Sequence, residues 1–241
     1  MQQSRILKLI DSMPFRLRMA GATISGRILS SLGAFAGILF AAIVTYAVND
    51  EIGSSYMLIA PIGASAVLAF AVPSSPLAQP WSVLGGNCIS ALIAVLIAHF
   101  VTSTGVASAI AVGGAILIMT VTRSLHPPGG ACALVMVLAY HHDQDSLAAL
   151  FLSLALNSLA LVIAAKAFHS LTGRTYPHQA LPATSLGQDD HLLHPDDIRS
   201  ALADLGEVFD VTSGDLDAIF SRAQEHRSKR LSHLPAWRNA A

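Results

Sequence analysis

Charge is what this 241-residue chain has least of: only 12% of its residues are Asp, Glu, Lys or Arg, about half the share of a soluble domain. Between residues 28 and 122 the formal charges are Asp50 and Glu51 alone, and between 124 and 165 they are Asp143 and Asp145. A soluble fold could not cover its surface with so few. Cysteine is also scarce. Cys88 and Cys132 both lie in apolar stretches with neither a CxxC pair nor a His/Cys cluster, so no redox or zinc reading is supported and no metal is expected. No Walker-type glycine loop is present, which argues against built-in ATP hydrolysis. No nucleophile–base pair is evident, so the chain reads as a non-enzyme without a cofactor. The net charge of −1 says little, because it averages a basic membrane flank with an acidic tail; no nucleic-acid partner is expected.

What the chain has is apolar length. It is 53% hydrophobic with a mean hydropathy of +0.58, the profile of an integral membrane protein. The first 27 residues are basic, with Arg5, Lys8, Arg16, Arg18 and Arg27 against Asp11. Hydrophobic segments continue beyond the first, so the N-terminus reads as retained rather than as a cleaved signal. Six apolar elements are predicted, at residues 28–48, 55–72, 81–101, 106–122, 128–140 and 147–169. Four have roughly the 20 residues that cross a bilayer; the second and fifth are short or broken by proline and glycine. Basic residues on the inside place the N-terminus, Arg123, Lys166 and Arg174 in the cytoplasm and Asp50, Glu51, Asp143 and Asp145 outside. The fold expected is an all-α membrane protein of six membrane elements, multi-pass in the inner membrane, with both termini cytoplasmic.

Sliding the sequence by 66 residues lays the stretch from Pro61, through Gly63, Ala64 and Ser65, over the stretch from Pro127, through Gly129 and Gly130. Each copy is then a triplet of long, broken and long elements, and an odd number of spans makes the copies oppositely oriented: a 3+3 inverted repeat. The alternative is that Pro-x-Gly simply recurs in membrane helices. Gly33 and Gly37 in the first helix form a close-packing signature, within the bundle or at a subunit interface. The chain divides into a basic N-terminus (1–27), the membrane domain (28–172), a linker (173–193) and a cytoplasmic appendage (194–241). Two amphipathic helices are predicted in the appendage, at 195–208 and 214–228, with Ser213 capping the second.

The string His126-Pro127-Pro128-Gly129-Gly130-Ala131-Cys132-Ala133-Leu134 is a poor start for an ordinary spanning helix. It suits a point where the backbone breaks and turns its N–H groups toward something polar. Here the sequence resembles the HPP family of integral membrane proteins, and the similarity runs over residues 29–169. It includes the stretch from Pro61 to Phe70 and the run from Leu84 to Asn87. Plastid and cyanobacterial members are linked to nitrite transport, which the resemblance implies here as well.

If the two Pro-x-Gly elements are half-helices of about 12 residues, each extends roughly 18 Å and their N-termini meet near the midplane. Two positive tips with unsatisfied N–H donors, lined by Gly63, Ala64, Gly129 and Gly130, suit a small inorganic anion such as nitrite; the alternative is that the small residues only allow tight packing. The candidate substrate-binding residues are Pro61, Gly63, Ala64, Ser65, Asn87, Arg123, His126, Pro127, Pro128, Gly129, Gly130 and Asn157. Asn87 and Asn157 need polar partners inside the bilayer. Arg123 either attracts anions or anchors the cytoplasmic interface, and His126 either serves the anion and titrates or ties down the broken backbone. A transporter or channel for a small anion is therefore the expected function. The alternative is a membrane sensor or scaffold that signals through the C-terminal helices. The partners expected are the anion and the lipid bilayer, with self-association open.

Overall fold

A computed structural model of the chain describes residues 24–52, 58–142, 144–178 and 213–232, together with positions 197, 200–202 and 204. Among these residues there are helices and turns and no strand. One compact unit contains α1 (Ile24–Ile52), α2 (Pro61–Ala71), α3 (Pro80–Phe100), α4 (Thr104–Val121), α5 (Pro127–His142) and α6 (Leu147–Leu171); α7 (Ser213–Ser232) belongs to a second unit. Six helices thus occupy the six predicted positions. Four apolar stretches are long enough to cross a membrane: Ile24–Val48 in α1, then α3, α4, and Gln144–Leu171, which contains α6. The remaining two are shorter, 11 residues in α2 and 16 in α5.

Proline explains where the short helices begin. Pro61, Pro80 and Pro127 open α2, α3 and α5, the position where a fixed φ helps and the missing N–H is not needed. Of the second apolar element, expected over 55–72, helix runs over Pro61–Ala71, and residues 53–57 lie outside the described residues. After Ala71 the chain meets Pro73, Pro76 and Pro80 and runs through a short 3₁₀ turn at Pro76–Ala78. The α2–α3 connection is held by its own polar atoms. Gln79 Nε2 donates to the carbonyls of Pro73 (2.9 Å) and Ser75 (2.8 Å), and Ser82 Oγ donates to Pro76 O at 2.8 Å.

The bundle is small inside and large outside. Its buried core is rich in alanine, including Ala66, Ala69, Ala91, Ala94, Ala111 and Ala115, while Phe35, Val67, Leu96, Leu117, Leu138 and Ile163, one from each of the six helices, are exposed. Small interior residues let backbones approach, and large apolar side chains face outward where lipid would lie. Gly33 and Gly37 belong to this interior. A Cβ at Gly33 would lie 2.7 Å from the rings of Phe70 and Phe168, and one at Gly37 would lie 2.5 Å from Phe70. The close-packing signature of α1 therefore receives aromatic rings from α2 and α6 within the bundle.

Packing partners follow a pattern. α1 packs on α2 and α6, and α4 packs on α5 and α3. α2 packs on α6, and α5 packs on α3; across the centre α2 meets α5 and α3 meets α6. The ends of α4 and α6 also match. Arg123 (φ 55°) and Gly173 (φ 72°) each take a left-handed conformation just past the helix. Ser124 N then donates to Met119 O and Arg174 N to His169 O, both at 2.9 Å, so each terminus closes as a Schellman turn.

Two contacts show which ends share a face. Arg174 Nη1 donates to Ser30 Oγ at 3.4 Å, joining the end of α6 to the start of α1. Trp81 Nε1 donates to Thr122 O at 3.1 Å, joining the start of α3 to the end of α4. The α6–α1 contact is extended by Tyr176. Its buried phenol donates to Ala78 O at 2.9 Å, and burial pushes its pKa up, which keeps the donor protonated.

The second predicted tail helix is present as α7, which begins at Ser213 itself. Of the first, positions 197, 200–202 and 204 are helical; the rest of it, residues 1–23 of the basic segment and residues 179–193 of the linker lie outside the described residues.

Candidate functional site

The starts of the two short helices meet. Ser65 lies in the second turn of α2 and His126 immediately precedes α5, and Ser65 Oγ and His126 Nε2 are 2.8 Å apart. The other ring nitrogen, Nδ1, is 2.8 Å from Leu77 O in the α2–α3 connection. A carbonyl can only accept, so Nδ1 carries a proton and neutral His126 presents Nε2 as an acceptor. The Ser65 hydroxyl then donates to it. Pro61 O, at 3.4 Å, is the other acceptor within reach of that hydroxyl.

Asn87 extends this pair into a cluster. Its Nδ2 donates to Ser65 Oγ at 3.3 Å and to Ser158 Oγ at 3.0 Å, and its Oδ1 accepts from the Cys132 thiol at 3.3 Å. Ser65, Asn87, His126, Cys132 and Ser158 are all fully buried. They come from α2, α3, the α5 entrance, α5 and α6, so one polar cluster ties four helices together. In a low-dielectric interior such a cluster is stable only when its members satisfy one another. Here they do so without any formal charge.

Asn157 stands beside this cluster and serves the break before α2. Its Oδ1 accepts from Ile59 N at 3.0 Å, and its Nδ2 donates to Thr45 Oγ1 at 2.6 Å. The amide therefore satisfies a main-chain donor that helix geometry leaves open, as interrupted membrane segments require.

The entrance to α5 lies well along α3. A Cβ at Gly86 would be 2.5 Å from His126 Cβ and 2.7 Å from Ser124 O. Gly86 is six residues past Pro80, so α5 starts about 9 Å beyond the start of α3 at 1.5 Å per residue. The segment 124–126 thus dips into the bundle before the helix begins.

The predicted site residues separate into three groups. Ser65, Asn87 and His126 converge, with Asn157 adjacent. Pro61, Pro128 and Gly129 are buried at the helix starts, while Gly130 is half-buried and Pro127 is exposed. Gly63 and Ala64, expected to line an anion site, lie on the exposed side of α2, where a Cβ at Gly63 would meet nothing within 4 Å. Arg123 is exposed in its left-handed turn, outside the cluster.

Two expectations need correction. Free N–H donors were expected at the two helix tips. Instead Ile62 N bonds Ile59 O (2.9 Å), Gly63 N bonds Ala60 O (3.1 Å) and Gly129 N bonds His126 O (2.8 Å), because each tip tightens into a turn, while the prolines have no N–H to offer. Gly129 was expected to bring backbone to an ion. It brings backbone to α3: a Cβ there would lie 2.7 Å from Ser90 Oγ and 2.8 Å from Gly86 O.

Ser158, Cys132 and the Leu77 carbonyl escaped the sequence reading. Ser158 adjoins Asn157, and a polar pair in an apolar helix was the available signal. Nothing in the sequence marked the Leu77 carbonyl. The Ser65–His126 pair also supplies the hydroxyl–imidazole contact that the sequence, with the two residues 61 positions apart, did not reveal.

Comparison with known proteins places this geometry in context. The family description "HPP, transmembrane region" matches residues 19–177. Two transmembrane proteins of Dictyostelium discoideum are similar. One is 37% identical over 153 residues, covering 61% of this chain and 49% of the relative; the other is 35% identical over 151 residues, covering 61% and 53%. The chain thus spans about half the length of these curated relatives. No solved structure matches.

Proposed function

Since the chain belongs to the HPP transmembrane family, we propose that it is a transporter or channel for a small inorganic anion, nitrite or one like it, and that the anion is held by the Ser65–Asn87–His126–Ser158 cluster. One observation carries this reading: the 2.8 Å contact that joins the starts of α2 and α5 inside a buried, uncharged cluster of hydroxyl, amide and imidazole groups. Hydroxyl and amide N–H donors can turn from one another toward an anion. Among the described residues no carboxylate stands near to repel an anion or attract a cation, and the starts of α2 and α5, the positive ends of two helices, meet there. A full buried charge is unnecessary.

The packing pattern supports a 3+3 inverted arrangement of six membrane elements. Exchanging α1 with α4, α2 with α5 and α3 with α6 carries the main helix contacts onto one another, and α2–α5 and α3–α6 map onto themselves. Val67 on α2 and Leu134 and Leu138 on α5 are exposed, as lipid-facing elements would have them. Arg27, Arg123 and Arg174 flank the helix ends that share a face, which the positive-inside rule assigns to the cytoplasm. Glycine would hold the turn at residue 123 more cheaply than arginine, so charge is the property this position supplies, either as an anchor or as an attractor of anions.

The test is uptake of nitrite, nitrate, formate and chloride into proteoliposomes, measured for the full chain and for a chain ending before Thr184. Saturable flux of at least one anion in both supports the transport reading. Flux that is absent from both, with binding of a soluble partner through α7, favours the sensor or scaffold. A second reading, an acyl-transfer enzyme inside the membrane, has the Ser65–His126 contact in its favour and is tested below by covalent labelling.

A further inference from the structure

We propose that His126 binds the coupling proton and that the anion and the proton travel together, one for one, so that transport of a monovalent anion moves no net charge. The inference rests on the anion-transport reading and adds the coupling ion and its site.

The argument begins with what surrounds the ring. Nδ1–H is committed to Leu77 O, so Nε2 is the only position at which His126 can take a further proton. Nε2 faces Ser65 Oγ at 2.8 Å. If Nε2 gains a hydrogen, the Ser65 hydroxyl must stop donating to it and become the acceptor. A second acceptor for that hydroxyl is in place, Pro61 O at 3.4 Å. One rotation about the Ser65 side chain therefore converts the neutral network into one that accommodates an imidazolium. No backbone has to move, and Asn87 Nδ2 keeps its bond to the same oxygen.

What the cluster does not contain decides the partner. α2 and the connection at residues 72–79 carry no ionisable side chain, and α3 carries Cys88 and His99. α5 carries Cys132, whose thiol is bonded to Asn87, together with Tyr140, His141 and His142 at its far end. α6 carries His169, which bonds Ala69 O at the other end of α2, and Lys166, which is exposed. None of these is a carboxylate. A charged His126 would therefore be an uncompensated cation in a water-poor interior, which is strongly unfavourable. A monovalent anion that draws the Asn87 Nδ2 and Ser158 hydroxyl donors away from their present partners, beside the charged ring, supplies the missing charge. Each ion makes the other tolerable, so the two bind with positive coupling, and the loaded site is neutral when it crosses.

The experiment uses full-length protein in liposomes with pyranine trapped inside and the membrane potential set by potassium and valinomycin. Protein-free vesicles are subtracted to remove passage of the free acid, and nitrate, whose acid is fully ionised, is run beside nitrite. Expected are one proton taken up per anion, an initial rate unchanged by the imposed potential, and a rate falling about tenfold per pH unit on the alkaline side, as for a single required proton. Electrogenic flux without proton uptake overturns the coupling while leaving transport standing; no flux of any anion overturns both. In His126→Gln the proton signal per anion should fall at least tenfold, and a full signal in that variant refutes the assignment. Should that variant fail to fold, Ser65→Ala retains the imidazole. It should keep one proton per anion while its pH profile moves, and an unmoved profile counts against the Ser65–His126 switch.

Discussion

Replacing Gly86 with alanine is the sharpest perturbation of the entrance to α5. The new methyl would lie 2.5 Å from His126 Cβ, 2.7 Å from Ser124 O and 3.3 Å from Met119 Sδ. Carbon atoms in contact sit about 3.5–4.0 Å apart, so the 124–126 segment must retreat by roughly 1 Å. Two of the three obstacles are main chain or Cβ and cannot swing away. Overpacking of this kind costs about 1–3 kcal/mol, against a helix-propensity gain for alanine over glycine of roughly 0.5–1 kcal/mol. Taking the middle of each range, the net loss of about 1.2 kcal/mol corresponds to a midpoint lowered by roughly 2–5 °C for a domain of this size. Retreat of His126 would also lengthen its contacts with Ser65 and Leu77, so anion flux should fall with stability. Gly63→Ala is the control, because a methyl there meets nothing within 4 Å and should leave the midpoint equal or slightly higher. Thermal unfolding of both variants in the same detergent checks this. Equal midpoints for Gly86→Ala and the native chain, or a larger loss in Gly63→Ala, would refute the close-approach reasoning.

Asn157→Ala strands Ile59 N and Thr45 Oγ1 inside the bundle and should cost about 1–3 kcal/mol, a lost partner for buried donors; denaturant or thermal unfolding reads it. Gly37→Ala collides with the Phe70 ring, and a double-mutant cycle with Phe70→Leu should recover stability with a coupling of about 0.5–3 kcal/mol; additive losses would place Phe70 elsewhere. A fluorophosphonate probe should leave Ser65 unlabelled in bilayers, since the hydroxyl is fully buried and bonded. Labelling that His126→Gln abolishes would instead establish an activated serine and favour the enzyme reading.

The long helices were legible because charge is absent for some 20 residues at a time, and their ends followed from proline. Basic residues predicted which ends share a face, and the Arg174–Ser30 and Trp81–Thr122 contacts join those same ends. The length of α2 was not legible, because apolar residues on both sides of Pro61 hide the break in the backbone. At the site, Ser65, Asn87 and His126 were recognised as polar or helix-breaking residues in apolar surroundings, yet their direct contacts depend on three-dimensional crossing. Gly63 and Gly129 show the limit most plainly. They occupy equivalent places in the two Pro-x-Gly stretches, but one faces outward and the other fits against Gly86 and Ser90. A glycine reports that space or freedom is needed, and the neighbour that needs it comes from another helix.

Whether an anion reaches the polar cluster can be measured by dipolar recoupling in bilayers between ¹⁵N-nitrite and histidine carbons labelled at Cε1, with His126→Gln removing the signal of interest. The account predicts dephasing that corresponds to a separation of about 5–6 Å, two hydrogen-bond lengths from the ring through the neighbouring side chains, and its loss in the variant. Saturating nitrite that leaves the His126 signal undisturbed would contradict it.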